Sequence, residues 1–318
     1  MTYKTPKLKE GFIPCDWNEG NLLIDPSKIR IENPSTYLRE LDDIENNIRL
    51  KFKLEDFLLK FFPGSDISIF TIFSLMSKSH DTIYLIREDY KQAAFFAEIF
   101  FKDVIYIDDL QEEISLIPNG GLIYFSNPGN PNCKYYNSKH LSKLIPQHLN
   151  CIVDLAYADF YEDFDLQDFH SHSQIFFIKT FSKFYGLAGL RTGIIIFKSN
   201  DLDLTRSLEA VNPKWIGSSQ VASLKIALEI DENQIRINFN HKLNRLRNYL
   251  ENEFGKNCEI LHAGNFFRLD FTHSKYKNDF LLKMSNLKIS VRDLSHIESL
   301  KNSTRINFRN ELIDYLHI

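Results

Sequence analysis

Cysteine is scarce: Cys15, Cys133, Cys151 and Cys258 lie far apart along 318 positions, and none belongs to a CxxC pair. That spacing excludes a disulfide framework and a zinc ribbon, and it fits a reducing compartment. A basic excess is missing too, because 38 Lys and Arg stand against 42 Asp and Glu. Without a long basic block the chain has no electrostatic footprint for wrapping nucleic acid or an anionic membrane. No run reaches the roughly 18 apolar residues of a membrane helix, and the opening MTYKTPKLKEGFIP lacks the apolar stretch of a secretory signal. The expectation is a cytoplasmic protein. Internal repeats and low-complexity linkers are also lacking, so the parts of the chain are expected to pack closely.

What is present is globular. With 43% hydrophobic and 25% charged residues, a disordered or fibrous chain is excluded. Aromatics are led by 27 Phe, bulk suited to a core. At about 150 residues per domain the length predicts two domains.

Short, almost wholly apolar runs at 82–86, 104–107, 122–125, 151–154, 175–178 and 193–197 are separated by helical patterns such as 91–101 and 138–149. Alternation vanishes when a strand is covered on both faces, so these runs predict an α/β fold, a mostly parallel sheet flanked by helices. From about Asn200 the pattern changes. Helices are predicted over 202–211, 218–230 and 232–254, then strands at 258–261, 265–271, 288–291 and 305–308 around a helix at 277–286. The expected division is an N-terminal arm over 1–36 partly packing on the small domain, a large domain over 37–210, and a smaller α+β C-terminal domain over 211–318.

Open α/β sheets bind ligands at the loops that follow their strands, and polar residues concentrate there. IVDLAYADFYED places Tyr157 three residues after Asp154. KTFSKFYGLAGLRTG carries Thr180, Ser182 and Lys183, with Arg191 eight residues beyond the lysine. SNPGNPNCKYY holds Asn130 before a proline, and in FFPGSDISIF Gly64 and Ser65 open an apolar, helix-like run.

Together these segments resemble, in order and over most of the chain, the fold-type I pyridoxal phosphate (PLP) enzymes. The likeness is to class I/II aminotransferases of the histidinol-phosphate aminotransferase type. TFSKFYGLAGLRTG is similar to the family's T-x-S-K…GLAGLR-x-G, DLAY to its D-E-A-Y, and NPGNPNC to its N-P-N-N-P-T-G. The resemblance implies that Lys183 is the Schiff-base lysine, and burial beside an arginine would disfavour its ammonium form and make it a nucleophile and base. It implies that Asp154 keeps the ring nitrogen protonated, that Tyr157 and Asn130 donate to the ring's phenolic oxygen, and that Tyr90 stacks on the ring. Gly64, Ser65, Thr180, Ser182 and Arg191 match the phosphate cradle, where helix-end amides and a guanidinium suit an anion. Tyr37 resembles the tyrosine that reaches the phosphate of a partner subunit, which implies a homodimer. Arg305 and Arg292 match arginines for the substrate carboxylate and for a far anion, groups that suit a bidentate fork.

The implied activity is transfer of an amino group between an amino acid or amino phosphate ester and a 2-oxo acid. The alternatives are a decarboxylase of a phosphorylated amino acid, of the threonine or serine phosphate type, and a PLP-binding protein with little turnover. Departures from the family pattern bear on the substrate: NPNC stands for N-P-T-G, DLAY lacks the glutamate, and EDY replaces P-T-Y. Lys179 reads as a charged strand end, and His170 and His172 as loop residues with no metal between them.

Overall fold

The computed structural model describes residues 9–17, 19–21, 29, 42–211 and 216–318, so the expectation for Tyr37 lies outside the described residues. A short strand β1 (Ile13–Pro14) and helix α1 (Asp42–Lys51) come first. Then follow β2 (Leu58–Phe62), α2 (Ser65–Met76), β3 (Thr82–Ile86), α3 (Lys91–Phe100), β4 (Asp103–Ile107) and α4 (Leu110–Glu113). The succession continues with β5 (Leu122–Ser126), α5 (Ser138–Leu144), β6 (Asn150–Asp154), β7 (Gln174–Thr180) and β8 (Gly193–Ser199). Three helices, α6 (Leu202–Val211), α7 (Ser218–Glu229) and α8 (Glu232–Phe254), lead to β9 (Cys258–Ala263), β10 (Phe266–Phe271) and α9 (Ser274–Asn286). Last come β11 (Ile289–Ser290), β12 (Arg292–Asp293), β13 (Ser303–Asn307) and α10 (Asn310–Tyr315).

Seven strands form the large sheet in the order β2-β8-β7-β6-β5-β3-β4. Neighbours from β7 to β4 run parallel, whereas β8 runs against both β7 and β2. Successive side chains go to opposite faces, and both faces are covered. Phe125, Val153, Phe177 and Ile196 meet Ile48 of α1, Leu141 of α5 and Leu224 of α7. Tyr124, Ile152, Phe176 and Ile195 meet Ile69 of α2 and Ala97 of α3. Double cover explains why the strands read as unbroken apolar runs. Because β8 is reversed, its N-terminal end shares an edge of the sheet with the C-terminal ends of β2, β3, β5, β6 and β7.

Three expectations change. Strand β2 is not among the predicted runs; it borders the large sheet antiparallel to β8, with Lys60 half-buried among its apolar residues. The helix expected over 138–149 ends at Leu144, where Ile145 turns extended before Pro146, the backbone that a following proline favours. The strand expected over 288–291 is shorter, since β11 covers only Ile289–Ser290 and pairs with β1, and a separate strand β12 follows beyond it and pairs with β13.

Lys179 is also not a solvated strand end. It is buried in β7, ion-paired with the equally buried Asp159 and 4.6 Å from the centre of the Phe52 ring. Arg236 of α8 joins them, donating from Nε to the Asp159 carbonyl at 2.8 Å and from Nη2 to Glu232 at 2.9 Å. Lys179→Met leaves the Asp159 carboxylate buried without its cation, and urea denaturation at neutral pH is expected to show a loss of about 3–5 kcal/mol. An unchanged midpoint would mean that the pair contributes nothing.

The small sheet is antiparallel in the order β12-β13-β10-β9. Phe267, Leu269 and Ile306 pack on Leu246 of α8, Phe280 of α9 and Leu312 of α10, with Cys15 in the same core. Alternation sends the intervening residues to the other face. Arg268 pairs in register with Arg305, and Arg305 with Arg292, so three arginines stand in a row across the strands. Among the described residues no helix is long and apolar enough to cross a membrane.

Candidate active site

The loops at the shared edge of the large sheet surround a cavity of about 470 Å³, within the usual range of about 300–1,000 Å³ for small-molecule sites. Each strand delivers its own residues. Asp154 ends β6, and Tyr157 follows on the next loop. Ser182 and Lys183 follow β7, and Arg191 precedes β8. All five line the cavity, with Ser65, Tyr90 and Asn130 from the remaining loops and Arg292 and Arg305 from the small sheet. Thr180 and Gly64 stand one layer back. The Thr180 hydroxyl lies 2.9 Å from Ser182 Oγ and 3.1 Å from the Thr192 carbonyl. Gly64 has φ 87, and a Cβ there would sit 2.7 Å from Arg191 Nη2, so glycine is what lets the guanidinium lie beside the start of α2.

Asp154 is buried; its Oδ2 accepts from the Tyr124 hydroxyl at 3.1 Å and its Oδ1 from the Ala156 amide at 2.9 Å. Burial pushes its carboxyl up to about 7, an effect the Ala156 amide opposes and the nearby Asp89 reinforces. Lys183 Nζ stands 6.0 Å from the centre of the Tyr157 ring. Burial first, and then the Arg305 guanidinium, bring the Lys183 amine down to about 8, against the pull of Asp66, Asp154 and Glu19. A hydrogen-bonded line crosses the cavity: Arg305 Nη1 donates to Asn130 Oδ1 at 2.8 Å, and Asn130 Nδ2 donates to the Tyr157 hydroxyl at 3.3 Å. The Tyr90 hydroxyl donates to Asp66 Oδ1 at 2.8 Å.

The structure adds residues that the sequence patterns pass over. Asp66 and Asp89 line the cavity beside Ser65 and Tyr90, and Lys91 and His296 line it near Arg292. Asp66 and Asp89 are each next in sequence to a residue already singled out, and that adjacency was the available signal. The two histidines of HxH each meet a backbone carbonyl: His172 Nε2 is 3.3 Å from that of Ile145, and His170 Nδ1 is 3.0 Å from that of Gln167. Among the described residues no three His, Cys, Asp or Glu side chains cluster as a metal would need.

Residues 56–316 match the family described as aminotransferase class I and II. The chain belongs to that family. This aminotransferase is 27% identical over 261 residues to a histidinol-phosphate aminotransferase of Thermoanaerobacter sp., a match spanning 80% of this chain and 68% of the relative. In fold it is similar to the Sinorhizobium meliloti histidinol-phosphate aminotransferase solved with pyridoxal 5′-phosphate, with a TM-score of 0.78, 18% identity and coverage of 95% and 88% of the two chains. It is also similar to the L-threonine-O-3-phosphate decarboxylase of Porphyromonas gingivalis, with a TM-score of 0.70, 15% identity and 96% coverage of both chains. The aminotransferase carries the expected α/β fold, and its reaction is transamination with pyridoxal 5′-phosphate, taking an amino donor and a 2-oxo acid.

The donor set of the cavity fits that cofactor. One amine near 8 and one carboxyl near 7 line the same space, which suits an aldehyde and a pyridine nitrogen. Ser65 at the start of α2, with Arg191 beside Gly64 and Ser182 on the same cavity, suits a phosphate, since helix-end amides and a guanidinium both favour an anion.

Proposed function

We propose that this aminotransferase moves the amino group between a 2-oxo acid and an amino acid or amino phosphate ester, with Lys183 as its catalytic amine. The observation that carries this reading is that the Lys183 amine and the Asp154 carboxyl line one cavity that Arg305 and Arg292 also line. The bound cofactor supplies an aldehyde for covalent attachment and an electron-accepting ring. Lys183 Nζ, with its charge disfavoured by burial, would take the proton from the donor's α-carbon and deliver it to the carbon that carried the cofactor's aldehyde, so that the donor leaves as an oxo compound. Asp154 holds a proton at the ring nitrogen, and Tyr157 Oη and Asn130 Nδ2 donate to the phenolic oxygen. Gly64, Ser65, Thr180, Ser182 and Arg191 seat the phosphate, the threonine acting through the Ser182 hydroxyl, and Tyr90 covers the ring.

Arg305 takes the α-carboxylate of the donor through a forked contact, and Arg292 takes an anion at the far end of its side chain. The active unit is a homodimer in which Tyr37 reaches the partner's phosphate seat. Exposed apolar side chains on the neighbouring helices α2 and α3 support it: Ile67, Phe70, Phe95 and Ile99 are each at least 40% exposed, and grouped exposed apolar side chains mark interaction surfaces. The chain divides into an arm over 1–36, a large domain over 37–210 and a small domain over 211–318, and it works in the cytoplasm, where four free thiols are stable.

Protein loaded with pyridoxal phosphate is expected to be yellow. Glutamate or histidinol phosphate should bleach the band, and 2-oxoglutarate should restore it. Release of CO₂ from phosphothreonine, with no restoration by a 2-oxo acid, would replace this reading with decarboxylation.

A further inference from the structure

Asp89 closes the β3 loop one residue before Tyr90, is buried, and lines the cavity. Its two carboxylate oxygens serve two backbone amides of a different loop. Oδ2 accepts from the Ser126 amide at 2.6 Å, at the last residue of β5, and Oδ1 accepts from the Asn130 amide at 3.2 Å. The same Asn130 faces Tyr157 and Arg305 through its side chain. One residue on, the Pro131 carbonyl accepts from Arg268 Nη1 at 3.3 Å, and Glu88 Oε2 accepts from that nitrogen at 3.3 Å. Asp270 Oδ2 accepts from Arg268 Nη2 at 2.7 Å. Consecutive acids therefore hold one segment from two sides: Asp89 grips its amide directly, and Glu88 grips its carbonyl through Arg268.

We propose that Asp89 is a positioning residue that sets Asn130 against Tyr157 and the cofactor oxygen. Two amides four residues apart in the chain converge on one side chain, and the forked carboxylate gives each its own oxygen. A buried amide left without an acceptor is costly, because it has given up water and gained nothing in exchange. Burial lifts the Asp89 carboxyl to about 6 even though the Ser126 and Asn130 amides pull it down. A carboxylate that is expensive to bury is thus placed where a smaller polar residue could serve only one amide. Tyr90, next in sequence, is fixed by its own bond to Asp66, so the ring-covering aromatic and the Asn130 loop are set from the same turn. Asp89 therefore acts through Asn130, and this role rests on the function proposed above.

The test is a double-mutant cycle with Asp89→Ala, Asp89→Asn and Asn130→Ala, read by kcat, by KM for the donor and by the wavelength of the yellow cofactor band. Asp89→Ala alone is expected to lower kcat about tenfold with KM changed less than about twofold, and to move the band in the same direction as Asn130→Ala. In the Asn130→Ala background it is expected to cost less than about twofold. Full additivity, or a band unmoved by Asp89→Ala, overturns the proposal. If the alanine variant does not fold, Asp89→Asn, which keeps the volume and one acceptor, decides by the same comparison. Amide hydrogen exchange in cofactor-free protein reads the grip by itself: Asp89→Asn, with one acceptor left for two amides, should speed exchange about tenfold at Asn130 or at Ser126, and unchanged exchange at both overturns the proposal. Wild-type protein that binds no cofactor, yet shows this exchange effect, would instead remove the functional reading and leave the grip standing.

Discussion

Lys183→Ala is expected to abolish transamination, lowering kcat by at least about 10⁴-fold, because one side chain performs two tasks. Proton transfer by a positioned base is worth about 10²–10⁴-fold, and covalent capture of the cofactor is lost with the same amine. The backbone around residue 183 does not depend on the side chain, since Gly186 and Leu187 amides bond to the carbonyls of Lys183 and Phe181. The variant should therefore fold and bind cofactor without covalent attachment. Borohydride treatment followed by peptide mass spectrometry reads the difference: wild-type protein should carry reduced cofactor on residue 183, and the variant none. Lys91 is a second lysine at the cavity wall. Fixed cofactor on Lys91 in either protein would move the chemistry there and sink the assignment.

Asp154→Asn is expected to lower kcat about a thousand-fold, in the range seen when a preorganised charge partner of a reaction is removed, and yet to stabilise the cofactor-free protein at neutral pH. The sign follows from the raised carboxyl, which moves from its ordinary 3.8 to about 7 on folding. The folded state binds this proton more tightly than the unfolded chain does, so the stability it contributes is complete below pH about 4. That stability is lost as pH climbs through about 7. At about 1.4 kcal/mol per pKa unit, the loss is at most about 4 kcal/mol for this group. Asparagine never ionises and removes the loss. Urea melts of cofactor-free protein at pH 4 and pH 8 should therefore place wild type and variant close together at the lower pH and separate them at the higher one. A variant less stable than wild type at pH 8 contradicts the burial argument, whereas full activity in the variant contradicts the role of Asp154 at the ring nitrogen.

The parallel core was legible because both faces of its strands are covered, so 122–125, 151–154 and 175–178 read as uninterrupted apolar runs and fall within strands. Strand β2 was harder, since a lysine interrupts it and the reversed direction of β8 leaves no mark in composition. At the site, spacing within one loop was readable: Lys183 to Arg191, and Asp154 to Tyr157. Convergence between loops was not. Asp89 meets Asn130 from 41 positions away and Arg268 meets Glu88 from 180. Such pairs are fixed by strand order, which single-segment patterns do not encode. Lys179 was misread for the same reason, because its partner Asp159 lies on another loop and the burial that makes the pair matter comes only with the packed sheet.

The reversal of β8 bears on mechanics. Strands β7 and β8 are a hairpin, joined over seven paired positions from Gln174–Ser199 to Thr180–Gly193. Its tip carries both Lys183 and Arg191, the groups proposed for the aldehyde and for the phosphate arm beside it on the ring. With β6 bonded to one side of the hairpin and β2 to the other, both anchors hang from one continuously paired part of the sheet, so their spacing is set by a single loop rather than by two separate ones.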